Sequence, residues 1–323
     1  MTLHRNIDPG LAVAVREGAL PALDLGGMSV EDLPGLRRQM SEAIAMMEPF
    51  PRDERVTIEE RTVPGPDGAP DVRLRIYRPA SPAGTTPALY WIHGGGMIFG
   101  QIEMEDPRLS HYVVELGCAV VSVDYRLAPE HPDPAPVEDC YAGLVWVAKN
   151  AAELGVDPAR VAVGGISAGG GLAAGTALLA RDRGGPAVAF QLLICPMLDD
   201  RNTTPSSLEF TDAVVWNRAA NLLGWKALLG DRAGGEDVSV YAAPARAADL
   251  SGLPSAYVDV GELEVFRDEC AGYALRLAQA GVSTEFHLYP GAFHGFDGMV
   301  PAAEISRRAV AERLVALRRA LFT

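Results

Sequence analysis

Positive charge is scarce in this sequence. Its 323 residues carry 28 Lys and Arg against 42 Asp and Glu, a formal net charge of −14. Nucleic acid and anionic membrane are therefore excluded as general partners, because the mean field repels both. Cysteine is also rare. Cys118, Cys140, Cys195 and Cys270 stand far apart with no Cys-x-x-Cys pair, which reads as reduced core thiols rather than zinc ligands or a disulfide framework. No apolar stretch approaches the length of a membrane span. The first 30 residues are interrupted by His4, Arg5, Asp8, Arg16, Glu17 and Asp24, so they contain no continuous signal-like apolar run, and the expected location is cytoplasmic. A soluble protein that meets neutral or cationic small molecules is the more natural expectation from this charge.

Apolar runs of strand length alternate with segments of helical period, the pattern of a mostly parallel sheet with helices on both faces. Eight strands are predicted: 56–63, 72–78, 88–92, 119–124, 161–164, 188–195, 256–260 and 284–289. The first two alternate apolar and polar residues, as Val72, Leu74 and Ile76 do, and flank Pro64-Gly65-Pro66-Asp67-Gly68, so they form an antiparallel hairpin. The later runs are more uniformly apolar, as buried parallel strands are. Helices are predicted at 106–116, 137–150, 168–181, 267–280 and 303–321. Two regions stand outside the alternation. Residues 1 to about 50 carry a helical stripe at Leu33, Leu36, Met40, Ile44 and Met47, and residues from about 202 to 247 hold Phe210, Val214, Val215, Trp216, Leu222, Leu223 and Trp225 without a strand signal. They are expected to pack together as a helical cap on a single domain spanning 1–323, with a few of the aromatics lining a pocket.

Four short segments carry chemistry. Gly165-Ile166-Ser167-Ala168-Gly169 falls between a predicted strand and a predicted helix, where a Gly-x-Ser-x-Gly elbow exposes a nucleophilic serine. Composition alone produces that pattern in roughly one such chain in seven, so it is weak in isolation. His93-Gly94-Gly95-Gly96 ends the strand 88–92, and its glycines can turn backbone N–H groups toward an oxyanion. His93 itself reads as a structural residue fixing the loop. A serine nucleophile needs a base, and only His287 and His294 follow it in the chain. His287 lies inside a strand pattern, whereas His294 lies in the loop beyond Pro290-Gly291, so His294 is the base. The carboxylate that orients it follows the strand 256–260, with Asp259, Glu262, Glu264 and Asp268 as candidates. Spacing does not choose among them.

These residues carry a resemblance. His93-Gly94-Gly95-Gly96, the run from Tyr125 to Glu130, Gly165 to Gly170, Glu264-Val265-Phe266-Arg267-Asp268-Glu269 and His294-Gly295-Phe296 make the chain similar to the hormone-sensitive-lipase-like, or bacterial family IV, carboxylesterases. The resemblance implies the α/β-hydrolase fold and an eight-stranded, mostly parallel sheet with a helical cap. It selects Glu264 as the acid and the backbone N–H groups of Gly95, Gly96 and Ala168 as oxyanion donors. The segment from Tyr125 to Glu130 is expected to brace nearby loops. The chain departs from the family's commoner pattern at Ile166 (commonly Asp), at Gly171 (often Asn, so that glycine is expected to loosen the helix start), and in using Glu rather than Asp as acid.

The expected function is hydrolysis of small esters with short to medium acyl chains through an acyl-enzyme on Ser167, with no metal or cofactor required. Emulsified lipid is disfavoured by the cap and by the absence of a basic amphipathic helix. An amide, lactone or carbamate hydrolase uses the same constellation and is the first alternative. A receptor on this fold, like the plant gibberellin receptors, lacks the histidine that is present here. A homodimer through an edge strand or the 303–321 helix fits the resemblance.

Overall fold

The computed structural model describes residues 4, 6–18, 25, 27–46, 50–82 and 84–323; Met47 of the apolar stripe lies outside them. The strands are β1 (Val56–Val63), β2 (Val72–Pro79), β3 (Thr86–Ile92), β4 (Ala119–Asp124), β5 (Val156–Ile166), β6 (Phe190–Ile194), β7 (Ser255–Leu263) and β8 (Thr284–Phe293). The helices begin with α1 (Pro9–Arg16), α2 (Leu33–Ala45), α3 (Asp106–Leu116), α4 (Ala135–Lys149), α5 (Ala151–Leu154) and α6 (Ala168–Asp182). They continue with α7 (Pro205–Glu209), α8 (Arg218–Leu229), α9 (Arg267–Gln279), α10 (Phe296–Met299) and α11 (Glu304–Phe322).

One eight-stranded sheet orders the strands β1-β2-β4-β3-β5-β6-β7-β8. β2 pairs antiparallel with both β1 and β4, and the remaining pairs are parallel. Consecutive side chains of a strand leave opposite faces, and the two large aromatics of β3 display this. Tyr90 donates its hydroxyl to the Cys140 carbonyl of α4 at 2.8 Å, whereas Trp91 meets Tyr112 of α3 edge-on at 5.9 Å. α3 and α11 accordingly share one face, and α4 and α6 the other.

Three strand limits differ from the sequence reading in ways that matter for the site. β5 begins at Val156 because Thr86 pairs with Val156 across a local irregularity, a pairing hidden in sequence by Asp157 and Pro158. β6 is confined to Phe190–Ile194. β8 runs through Pro290-Gly291 to Phe293, because β7 extends to Leu263 and the two stay paired at Leu263–Phe293. His294 therefore follows the strand's last residue directly instead of sitting in a longer loop.

Helix α6 is buried from Ala168 to Ala180, and its small residues allow that depth. A Cβ on Gly169 would lie 2.1 Å from the Ile92 carbonyl oxygen, and one on Gly171 would lie 2.0 Å from that of Met197. Gly171 thus lets the helix start approach the 196–197 backbone closely.

The N-terminal and 202–247 segments both meet the sheet's carboxyl edge. Arg37 of α2 donates to the carbonyls of Ile98 at 2.9 Å and Ala128 at 2.7 Å. Leu11 of α1 joins Phe293, Phe296 and Ala303 in a cluster against which Val214 and Val215 pack. A cleft of about 930 Å³ runs between Met28–Glu31 and α8, lined also by Pro132 and Arg232. Among the described residues no helix is long and apolar enough to cross a membrane.

Candidate active site

Ser167 sits between β5 and α6 with φ 58° and ψ −122°, a backbone conformation that L-residues rarely adopt. It persists because its neighbours over-determine it. The Ser167 N–H donates to the Ile194 carbonyl at 2.8 Å, and its carbonyl accepts from Gly171 and Met197, each at 3.0 Å. The hydroxyl is thereby held out at the end of the sheet, at the N-terminus of a buried helix whose dipole favours negative charge there.

The structure brings Ser167, His294 and Glu264 together. Ser167 Oγ is 3.0 Å from His294 Nε2, and His294 Nδ1 bonds the Glu264 carboxylate. The other Glu264 oxygen accepts from the Gly261 N–H at 2.8 Å, which fixes the carboxylate in a fully enclosed position. Ser167 and His294 are each only 6% exposed, so these contacts operate away from bulk solvent. Phe266 packs edge-on against the imidazole at 5.3 Å.

Gly95 and Gly96 adopt φ 116° and 63°, conformations open to glycine and costly for residues with a side chain. The Gly95 carbonyl accepts from Ile98 and Phe99 at 3.1 and 2.8 Å. Among the described residues, no backbone carbonyl accepts a hydrogen bond from the N–H of Gly95, Gly96 or Ala168. Gly96 and Ala168 are buried and Gly95 partly so, positions where a backbone N–H without a protein acceptor is uncommon.

The other carboxylate candidates have different partners. Asp259 forms a two-pronged pair with Arg313 of α11, at 2.6 and 3.1 Å. Arg313 also donates to Asp297 at 2.6 Å, and Arg108 of α3 reaches the same oxygen at 2.8 Å. Burial raises the Asp259 carboxyl, with the nearby Asp297 and Glu264 charges adding to it and the Arg313 guanidinium opposing it. Burial also works against the Asp297 carboxylate, but Arg313 and Arg108 outweigh it and hold this group well below the usual range. Asp268 accepts from the Ser206 N–H at 2.6 Å, and Glu262 from that of Gly291 at 2.7 Å. His287 bonds Glu285 at 2.8 Å and stacks on Tyr257, remote from the serine.

His93 does structural duty: Nδ1 is 2.8 Å from the Gly94 carbonyl, the ring stacks on Tyr125 at 4.3 Å, and the Tyr125 hydroxyl donates to its carbonyl at 3.0 Å. Arg126 grips Asp139 at 2.7 and 2.8 Å, while the Ala128 N–H donates to Met97 at 2.9 Å. The Tyr125–Glu130 run thus ties the glycine loop to the core. Cys195 is also close: its Sγ, a Glu264 oxygen and a His294 nitrogen lie within 4.8 Å of one another, the one such three-ligand group among the described residues. A thiolate and an imidazole suit zinc, yet the imidazole and carboxylate here are already bonded to each other.

Sequence reasoning passed over Arg313 and Asp297, and it named Trp216 only among the cap aromatics. The signal for Arg313 was available, since it stands in the buried stripe of α11 between Ala309 and Ala316.

A strained serine elbow, a histidine after the last strand and a carboxylate after the one before it define an α/β hydrolase, and comparison agrees. The family model for the alpha/beta hydrolase fold matches residues 89–298. The chain belongs to this family, the hormone-sensitive-lipase-like (bacterial family IV) carboxylesterases. It is 42% identical over 266 residues to the carboxylesterase NlhH of Mycobacterium tuberculosis, covering 82% of this chain and 83% of that one. An arylesterase of Saccharolobus solfataricus is 34% identical over 272 residues, covering 81% and 84%. Among solved structures, a bacterial heroin esterase superposes with a TM-score of 0.93 at 47% identity over 100% of both chains. The esterase LipW of Mycobacterium marinum gives 0.85 at 39%, covering 98% and 97%.

Proposed function

We propose that this carboxylesterase hydrolyses small, soluble esters with short to medium acyl chains by acyl transfer through Ser167, His294 and Glu264. The observation that carries the reading is the 3.0 Å contact between Ser167 Oγ and His294 Nε2, on an imidazole whose other nitrogen bonds Glu264. In the first half-reaction His294 Nε2 takes the Ser167 proton as Oγ bonds the ester carbonyl carbon. The carbonyl π pair moves onto oxygen, where the N–H groups of Gly95, Gly96 and Ala168 receive it; one such donor is typically worth about 3–4 kcal/mol. The C–O bond to the alcohol then breaks, and His294 returns its proton to the leaving alkoxide. Water repeats the sequence on the acyl-enzyme, releasing the acid. Glu264 keeps the imidazole oriented and stabilises its cationic form without taking the proton.

The segments around α1–α2 and 202–247 act as the cap of this single domain. Relatives named as an arylesterase and a heroin esterase support esters of aromatic alcohols within this range. The test is turnover of p-nitrophenyl esters from acetate to dodecanoate. The proposal expects a maximum at short chains and loss of turnover in Ser167→Ala. Preferential turnover of emulsified long-chain triglyceride would overturn the substrate range.

A further inference from the structure

Gly95 and Gly96 are the most freely jointed residues a chain can offer, yet donors stabilise a transition state well only when they are fixed beforehand. Gly95 is fixed by the two amides that its own carbonyl accepts. Gly96 is held differently. A Cβ placed on it would lie 2.3 Å from Cη2 and 2.8 Å from Cζ2 of Trp216, so the indole edge occupies the side of Gly96 where a side chain would project. From the neighbouring helix, Gly224 of α8 approaches the same residue: a Cβ there would lie 3.0 Å from the Gly96 carbonyl oxygen. Gly96 is thus abutted by an aromatic ring and by the helix beside that ring, Gly224 also facing Trp216 Cζ2, both outside the αβ alternation that builds the sheet.

Trp216 is itself held by a chain of buried amides. Its Nε1–H donates to Asn221 Oδ1 at 3.2 Å, Asn221 Nδ2 donates to Asn202 Oδ1 at 2.6 Å, and Asn202 Nδ2 donates to the Asp200 carbonyl at 3.0 Å. Arg218 donates to the Asn202 carbonyl at 2.8 Å. Asn221 is fully buried and Asn202 nearly so, positions where amides are costly unless each hydrogen bond is made. The ring is presented by a tight turn in which the Trp216 N–H donates to the Val214 carbonyl at 2.9 Å, with Val215 at φ 71°, rare for a β-branched residue. Simple space-filling needs neither the amide chain nor the strained turn. Both orient one indole.

We propose that Trp216, oriented through Asn221 and Asn202, is a positioning residue that sets the Gly96 N–H for the oxyanion, so that donor geometry depends on the 202–229 segment being seated. The inference rests on the acyl-transfer reading above, and its test separates the two. Wild type, Trp216→Phe and Asn221→Leu are assayed per phosphonate-titrated site with the p-nitrophenyl series, together with inhibition by an aryl trifluoromethyl ketone. In that adduct Ser167 Oγ bonds the ketone carbon, the serine proton passes to His294, and the carbonyl pair becomes an oxyanion. Trp216→Phe keeps an aromatic ring but withdraws the outer indole edge and the N–H. Asn221→Leu keeps the volume and removes the amide.

Losing a whole oxyanion donor costs about 10²–10³-fold in kcat, so a misdirected donor is expected to cost about tenfold. Both variants should show that loss in kcat at every acyl length, a matching rise in the ketone Ki, and KM within about twofold of wild type. Unchanged Ki and per-site kcat in both variants, with the wild type inhibited, would overturn the positioning role alone. A loss confined to some acyl lengths would also overturn it, making Trp216 a pocket wall. Failure of the ketone to inhibit the wild type would instead sink the oxyanion reading beneath it.

Discussion

Replacing Arg313 with Met probes the charge network behind the histidine, and its cost can be worked from the contacts. Arg313 is fully buried and bridges Asp259 and Asp297. Asp297 keeps a second cation, Arg108, at 2.8 Å, so the substitution orphans one carboxylate, Asp259, which is 1% exposed. Removing one partner of a buried pair costs about 3–5 kcal/mol, which for a chain of this size lowers Tm by roughly 4–7 °C. The cost should also depend on pH. Burial raises the Asp259 carboxyl and Arg313 opposes it. Without Arg313 the folded-state value rises further above the unfolded value of about 3.9. The variant's loss relative to wild type therefore grows only once pH passes the already raised wild-type folded value, by up to ~1.4 kcal/mol per unit, until the variant's own folded-state value is passed. Denaturant unfolding of Arg313→Met and of the double variant Asp259→Asn/Arg313→Met between pH 5 and 9 measures this. The single variant should be less stable at pH 9 than at pH 5 relative to wild type, and the double variant should recover part of the loss with a flatter profile. Equal loss at both pH values, or no recovery in the double variant, would refute the reasoning.

Other outcomes follow from particular contacts. Gly96→Ala puts an L-residue at φ 63° with its Cβ 2.3 Å from Trp216. The left-handed backbone costs about 1–2 kcal/mol and the overpacking about 1–3 more, and thermal unfolding should register the sum alongside a fall in kcat. Glu264→Gln should lower kcat by about 10³–10⁴-fold with little change in KM; steady-state kinetics within tenfold of wild type would move the acid elsewhere. Glu269 is buried, which raises its carboxyl well above the usual range despite the Leu198 N–H it accepts at 2.7 Å. Its contribution to stability is therefore lost as pH rises above the unfolded value of about 4.3. Glu269→Gln should raise Tm relative to wild type at pH 8 and give no gain at pH 4.

Much of this molecule was legible in its sequence, for identifiable reasons. The strands 56–63 and 119–124 and the helix 106–116 match in both limits, because alternation, β-branched runs and a glycine at position 117 in the left-handed conformation mark them locally. The limits of β5 and β8 were not legible, since Pro158 and Pro290-Gly291 resemble turns until a partner strand holds them extended. Spacing left four carboxylates open around the histidine. Their separation depends on Arg313, Ser206 and Gly291, which lie 54, 62 and 29 residues from Asp259, Asp268 and Glu262 and leave no local trace. Trp216 was legible as an aromatic outside the sheet pattern, but its seat on Gly96 is a long-range contact that no periodicity reveals.

The central claim is that Ser167 is the nucleophile. The most direct measurement is mass spectrometry of the intact protein and its peptides after reaction with a p-nitrophenyl phosphonate, on wild type and Ser167→Ala. The account predicts one adduct, on the peptide bearing Ser167, with p-nitrophenol released in equal amount and no adduct on the variant. An adduct on another residue, or ester turnover by Ser167→Ala at the wild-type rate, would contradict it.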